Sequence, residues 1–349
     1  MSSWFRENIE ALAGYVPGFQ PAERRAIKIN TNENPHPPSP LVAQALGRLD
    51  DLSMRRYPPI MSTGVREVAA RLHSVDPEQV LVGNGGDELL AMMVRACCGP
   101  GRALAYPAPT YSLYETLAAI EEAPVIAVGW GADGEFPQEL MGVEAPLTIV
   151  CNPNAPTATY LPVDRVEEVV RRARGIVLVD EAYVDFAPGD CLELLGQYEN
   201  VAVLRSLSKG YSLAGMRCGY LLGSRLIVDT LVKIKDSYNV NIATQVAAAA
   251  ALEDQAWFRR NRDRIMFERE RLIPALRELG FEVGASHTNF VLAAIREPSA
   301  AAIHEKLKAQ NIYIRYFSQE PLTDKLRITV GTRGENDALL AALHGIIKG

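Results

Sequence analysis

The chain has 349 residues, 48% of them hydrophobic and 22% charged, which is the composition of a globular protein with a sizeable core and excludes disordered and fibrous classes. Its 36 basic and 42 acidic side chains sum to −6 with the two signs intermixed, which argues against a nucleic-acid partner. The most apolar stretch, residues 246–252, falls far short of the ~20 residues that span a bilayer. Arg6, Glu7 and Glu10 stand where a signal peptide would need its apolar region, so the expected location is the cytoplasm. Five cysteines without a CxxC pair read as reduced, mostly buried thiols, and the scattered histidines predict no metal site.

In chain order, residues 1–35 lack periodicity and carry Asn30, Asn32, Asn34 and Pro35; they read as an N-terminal arm lying on a larger body. Short apolar runs over 80–82, 103–106, 125–128, 147–151, 176–180, 201–205 and 218–222 predict strands. Amphipathic stretches over 87–98, 111–121, 163–173 and 224–235 predict the helices between them. This alternation predicts an α/β large domain over 36–255, with a mainly parallel seven-stranded sheet covered by helices on both faces. From about residue 256 the texture changes to a long charged helix, 257–280, followed by strands at 281–283, 289–293 and 326–330 and helices at 300–310 and 335–347. A smaller α+β C-terminal domain over 256–349 is expected, with the arm packing on it and on a partner subunit.

Four predicted strand ends carry chemistry. Segment 206–220 leaves a strand and holds one lysine, Lys209, among small residues, with Arg217 eight positions on. Loops there face the ligand crevice of an open α/β sheet. Asp180 ends another strand, where it could cap a helix or meet a ligand in the same crevice. The turn with Gly83, Asn84, Gly85, Gly86 and Asp87 opens a helix, whose N–H groups and dipole suit a phosphate. Asn152 and Asn154 lie in an Asn/Pro loop after a fourth strand. Together these describe a site for an anionic aromatic cofactor that forms an imine with a lysine, which are the requirements of pyridoxal 5'-phosphate (PLP).

In order and content these motifs resemble the fold-type I, class I/II PLP-dependent aminotransferases over nearly the whole chain. The resemblance implies that Lys209 bonds the cofactor and shuttles a proton between the substrate Cα and the cofactor C4′. It implies that Asp180 pairs with the pyridinium nitrogen, that Tyr183 donates to the phenolate oxygen and that Tyr111 stacks on the ring. Ser206, Ser208 and Arg217 would join Gly85, Gly86 and Asp87 around the phosphate. The family usually has Asn just before a Pro-Thr-Gly run, where this chain has Ala155 and then Ala158; Asn154 or Asn152 is left as the substitute.

Within the family, segments 14–18, 29–35, 56–58, 314–315 and 325–333 resemble the histidinol-phosphate aminotransferases, with Gly14 where a proline is common. The resemblance implies that Tyr57 reaches the cofactor phosphate of a neighbouring subunit, so that a homodimer shares its active sites. It gives Arg327 the α-carboxylate of L-glutamate, which a planar guanidinium can grip bidentately. Tyr15, Arg315 and Arg327 would meet the phosphate of histidinol phosphate. The expected reaction converts imidazole acetol phosphate and L-glutamate to L-histidinol phosphate and 2-oxoglutarate, in histidine biosynthesis. Aromatic amino acid transamination and PLP-dependent decarboxylation of a phosphorylated amino acid are the alternatives.

Overall fold

The computed structural model describes residues 4–13, 19–21, 26–131 and 135–348. The chain enters through a short helix, α1 (Glu7–Glu10), and a two-residue strand, β1 (Ile27–Lys28). Three helices follow: α2 (Pro40–Leu46), α3 (Asp51–Arg55) and α4 (Thr63–His73). Then come β2 (Val80–Gly83), α5 (Gly86–Cys97), β3 (Leu104–Ala108), α6 (Leu113–Ile120), β4 (Val125–Gly129), β5 (Leu147–Cys151), α7 (Val163–Arg172) and β6 (Ile176–Asp180). β7 (Val201–Ser206), β8 (Gly219–Gly223), α8 (Arg225–Val232) and α9 (Ile242–Glu253) complete the larger body.

Strands β2 to β8 form one sheet in the order β2-β8-β7-β6-β5-β3-β4. Pairing is parallel throughout except at β8, which runs against both β7 and β2. The central strands are buried along their whole length, which is why they read as continuous apolar runs. Successive residues serve opposite faces. Val177, Val179, Val201 and Val203 pack with Val65 and Ala69 of α4, Val166 and Val169 of α7 and Ala247 and Ala251 of α9. Leu178, Ala202 and Leu204 pack on the other face with Leu89 and Met93 of α5, Leu117 of α6 and Leu231 of α8.

The remaining chain supplies α10 (Gln255–Glu278), β9 (Glu282–Val283), β10 (Phe290–Ala294), α11 (Ala300–Lys308), β11 (Ile312–Tyr313), β12 (Arg315–Tyr316), β13 (Lys325–Thr329) and α12 (Arg333–Lys348). A second, antiparallel sheet in the order β12-β13-β10-β9 packs Val291, Leu326 and Ile328 against Leu272, Ile303 and Leu339 of α10, α11 and α12. β1 joins this part of the molecule by parallel pairing with β11, Ile27 opposite Ile312. Helix α10 starts where the Asp254 carboxylate accepts from the Trp257 N–H at 3.1 Å, and it continues through Pro274.

Helices α1 to α4 and α9 were not legible in the sequence. Helix α9 is alanine-rich and apolar all round, so it has no polar stripe to mark a period, and it is buried between the sheet and neighbouring helices. Among the described residues no helix is long and apolar enough to cross a membrane. All five cysteines are buried and unpaired with one another.

Candidate active site

The residues with chemistry collect at one edge of the large sheet, where β2, β5, β6 and β7 end and β8 begins. On the β2 side, Gly85 caps α5 at φ +84°, a backbone conformation in the left-handed half of the map that glycine adopts without strain. No side chain caps this helix, so its first-turn N–H groups have no side-chain acceptor. A Cβ added at Gly85 would stand 2.6 Å from Arg217 Nη2, and one at Gly219 would stand 2.9 Å from the Gly86 nitrogen. Arg217 itself sits at φ 51°, donating from Nη1 to Ser208 Oγ at 3.4 Å and from Nη2 to Asp87 Oδ2 at 3.1 Å. Ser206 Oγ accepts from the Ser208 N–H at 3.2 Å. Uncapped helix amides, two hydroxyls and a guanidinium around glycines with no room for a side chain form a donor set that fits a phosphate.

The Gly85 N–H donates to the Gly83 carbonyl at 2.9 Å, whereas Asp87, counted among the expected cofactor contacts, keeps its first-turn N–H for an anion. Its carboxylate has no proton to give a phosphate; it accepts from Arg217 and, at 3.2 Å, from the Tyr111 hydroxyl. It therefore holds two neighbours in place. Tyr111 meets Tyr114 edge-on, with ring centroids 5.7 Å apart.

Asp180, at the end of β6, is 3% exposed. Burial pushes its carboxyl pKa up, opposed by the hydrogen bond from Tyr114 and the amide of Ala182. Tyr114 donates to Asp180 Oδ2 at 2.6 Å, and Ala182 N–H donates to Oδ1 at 3.1 Å. Sequence reasoning missed Tyr114, although it falls inside the helix expected over 111–121. A buried carboxylate held by a hydroxyl and an amide is a fixed anion able to face a ring nitrogen cation.

Lys209 Nζ lies 5.3 Å from the ring centroid of Tyr183. The peptide linking Lys209 to Gly210 is gripped from two sides. Asn34 Nδ2 donates to the Lys209 carbonyl at 3.0 Å and to that of Gly210 at 3.1 Å, while Asp185 accepts from the Gly210 N–H at 3.2 Å. Tyr183 is buried and its hydroxyl accepts from Asn32 Nδ2 at 2.8 Å. Neither Asn34 nor Asn32 drew a role from the sequence, because an asparagine in an aperiodic arm reads as a turn residue.

Asn154 is fully buried, and its amide is committed within its own surroundings. Its Oδ1 accepts from Thr110 Oγ1 at 2.7 Å; its Nδ2 donates to the Pro109 carbonyl at 3.0 Å and to Thr157 Oγ1 at 2.8 Å. Asn152 exchanges two bonds with the Leu161 backbone at 2.9 and 2.8 Å. Both amides brace the loop.

On the small sheet, Arg327 of β13 pairs in register with Arg315 of β12. Both guanidiniums lie over the Phe317 ring, at 5.6 and 5.4 Å, and Arg327 also covers Phe290 at 5.3 Å while donating to the Asn30 carbonyl at 3.1 Å. Phe290 in turn meets Tyr183 edge-on at 5.2 Å, which ties the arginines to the lysine crevice. Tyr57 is 79% exposed and stacks on Tyr238, with centroids 4.2 Å apart. Tyr15 lies outside the described residues.

Residues 24–343 match the sequence profile of the family described as aminotransferase class I and II. The chain belongs to that family. It is 42% identical over 350 residues to histidinol-phosphate aminotransferase 1 of Trichormus variabilis, covering 100% of both chains. It is also 42% identical to the histidinol-phosphate aminotransferase of Geobacter sulfurreducens, covering 98% of this chain and 99% of that one. Among solved structures, the histidinol-phosphate aminotransferase of Sinorhizobium meliloti in complex with pyridoxal-5'-phosphate is similar at a TM-score of 0.91 and 27% identity, over 100% of this chain and 98% of that one. This aminotransferase thus carries the family's sequence pattern through both of its sheets.

Proposed function

We propose that this PLP-dependent aminotransferase exchanges an amino group between L-glutamate and imidazole acetol phosphate, forming 2-oxoglutarate and L-histidinol phosphate in histidine biosynthesis. The observation that carries the substrate reading is the arginine pair. Like charges opposite each other across two strands are unfavourable, and an anion between them reverses the sign. Glutamate offers a carboxylate and histidinol phosphate a phosphate, so one pair of guanidiniums serves two anions in turn. The relatives' names, at about 42% identity over full length, support histidinol phosphate as one of these substrates.

When bound, PLP supplies a ring that withdraws electrons and makes the Cα–H of an attached amino acid acidic. The residues of this chain do the rest. The amides of Gly86 and Asp87 in the first turn of α5, the Ser206 and Ser208 hydroxyls and Arg217 bind the cofactor phosphate. Asp180, dry and fixed by Tyr114, keeps the ring nitrogen protonated. Tyr111 covers the ring and Tyr183 donates to its phenolate oxygen. Lys209 anchors the cofactor and moves the proton at Cα, on a backbone held by Asn34 and Asp185. Arg327 orients the carboxylate of glutamate, and Arg315 joins it for the phosphate of histidinol phosphate.

The same reading makes the active unit a homodimer in the cytoplasm, in which exposed Tyr57 completes the partner's phosphate site. It divides the chain into an arm up to about residue 35, a cofactor domain and, from α10 onward, a substrate domain. Steady-state transamination with 2-oxoglutarate tests the substrate. Turnover of histidinol phosphate should exceed that of unphosphorylated histidinol and of phenylalanine by about 10²-fold or more in kcat/KM. Faster reaction with phenylalanine, or CO2 release from a phosphorylated amino acid, overturns the assignment.

A further inference from the structure

Asn32 stands in the left-handed region at φ 57° and is 1% exposed. All four of its hydrogen-bonding groups are taken. Its N–H donates to Thr329 Oγ1 at 3.0 Å and its carbonyl accepts from Asn289 Nδ2 at 3.0 Å. Its side chain accepts at Oδ1 from Thr329 Oγ1 at 3.1 Å and donates from Nδ2 to Tyr183 Oη at 2.8 Å. Thr329 and Asn289 are buried as well. A left-handed residue pinned from every side points to a task beyond packing.

The proton directions in this chain of bonds follow from the donors available. Thr329 Oγ1 accepts from the Asn32 N–H, and the acceptor that meets its own single hydroxyl hydrogen is Asn32 Oδ1. That choice turns the NH2 end of the amide toward Tyr183. The tyrosine oxygen therefore receives a hydrogen from Asn32, and its own hydrogen is left for another acceptor. The neighbouring loop offers no second donor of the usual kind, since it has Ala155 there and the amides of Asn152 and Asn154 are bonded elsewhere. The anionic ring oxygen of a bound cofactor then depends on Tyr183.

We propose that Asn32 is a positioning residue which, with Thr329, sets the direction of the Tyr183 hydroxyl, so that this hydroxyl donates to the cofactor's phenolate oxygen instead of turning away from it. The inference rests on the role given above to Tyr183. It places a specific duty on the arm, contributed through Thr329 from the same strand that carries Arg327.

The test is a pH titration of the visible absorption of the purified holoenzyme, with kcat and KM for glutamate measured alongside. A donor on the phenolate oxygen drains electron density from it and weakens its hold on the adjacent proton, so losing that donor raises the titration midpoint. Asn32→Gly retains the left-handed backbone and removes the amide. It should raise the midpoint by about one pH unit and lower kcat roughly tenfold, with KM changed by less than about twofold. Asn32→Asp exchanges the donor for an acceptor, draws the tyrosine hydrogen back and should raise the midpoint at least as far. Thr329→Val should shift it in the same direction, and Thr329→Ser, which retains the hydroxyl, should restore the native value.

Tyr183→Phe separates the two readings. If Tyr183→Phe raises the midpoint and Asn32→Gly adds nothing in that background, the two residues act as one unit, as proposed. If Tyr183→Phe raises the midpoint while both Asn32→Gly and Thr329→Val leave it at the native value, the positioning role is wrong and the role of Tyr183 stands. If Tyr183→Phe leaves the midpoint unmoved, the reading of Tyr183 fails and the inference falls with it. Should Asn32→Gly not fold, Thr329→Val and Thr329→Ser decide the question alone.

Discussion

The two sheets present opposite electrostatic designs to the same crevice. At the edge of the large sheet, Asp180 is dry and braced by Tyr114 and an amide, and Arg217 is already bonded to Ser208 and Asp87. At the small sheet, Arg315 and Arg327 are register partners on neighbouring strands, and both guanidiniums lie against one phenylalanine ring. A braced charge suits a group that stays through every turnover. A pair of like charges suits anions that come and go, because each arriving anion offsets the repulsion between them. The difference between the sheets is one between holding and exchanging.

The largest effect should come from Lys209→Ala on the holding side. We expect loss of transamination by at least ~10³-fold, because the variant removes both the attachment point and the base. The melting temperature of cofactor-free protein should change little, since this half-buried side chain is cut back at a crevice and leaves no core cavity. Normal turnover in Lys209→Ala would break the comparison outright. On the exchanging side, Arg327→Leu should lower kcat/KM for glutamate by roughly 10²-fold, the worth of a charged bidentate contact, while leaving cofactor affinity intact. Equal losses in both would show that the two functions are not divided between the sheets.

A third measurement probes how dry the large-sheet side is. His73 lies behind the sheet edge with a ring nitrogen 2.7 Å from the Tyr220 hydroxyl, and burial, followed by the charge of Arg205, pulls its pKa down to about 4. The folded pKa lies below the ordinary 6.5, so the unfolded chain binds more protons between these values. Stability is then full above pH 6.5 and falls as the pH drops toward 4. The expected contribution is about 2 kcal/mol between pH 6.5 and 5, seen as a slope in denaturant midpoints that His73→Gln flattens. An unchanged slope would mean that water reaches the site. The smallest effect concerns Arg315. Inorganic phosphate should raise the melting temperature of the native protein by a few degrees, and Arg315→Gln should abolish that rise while slightly stabilising the unliganded protein. Phosphate stabilising both proteins equally would place the exchanged anion elsewhere.

The large sheet was legible because its strands are buried on both faces and so appear as uninterrupted β-branched runs, such as 147–151 and 201–205. Two-residue strands such as β1 and β12 carry no period and could not be read. The strand-end residues Asp180, Lys209 and Arg217 stood out because charged groups break apolar runs there. Their supporting partners did not. Tyr114 looked like one more apolar helix residue, and Asn32 is oriented by Thr329, 297 positions away in the chain, a contact that only the folded topology creates. Asn154 shows the converse: a loop asparagine close to the site whose amide is consumed in tying its own loop to the one that follows β3.

The reversed direction of β8 has a consequence for how this site can change. In an all-parallel sheet the chain leaving β7 at the crevice would travel back along a helix before starting the next strand, and the following loop residues would begin on the far side. Here the connection from β7 to β8 stays at the crevice, so Ser208, Lys209 and Arg217 ride on one continuous loop. β8 then lies beside β2, with Gly219 opposite Gly83. The anchor for the ring and the clamp for its phosphate are thus spaced by a single stretch of backbone. Inserting or deleting one residue within it would alter that spacing at a stroke, whereas changes in length elsewhere around the sheet would leave it untouched.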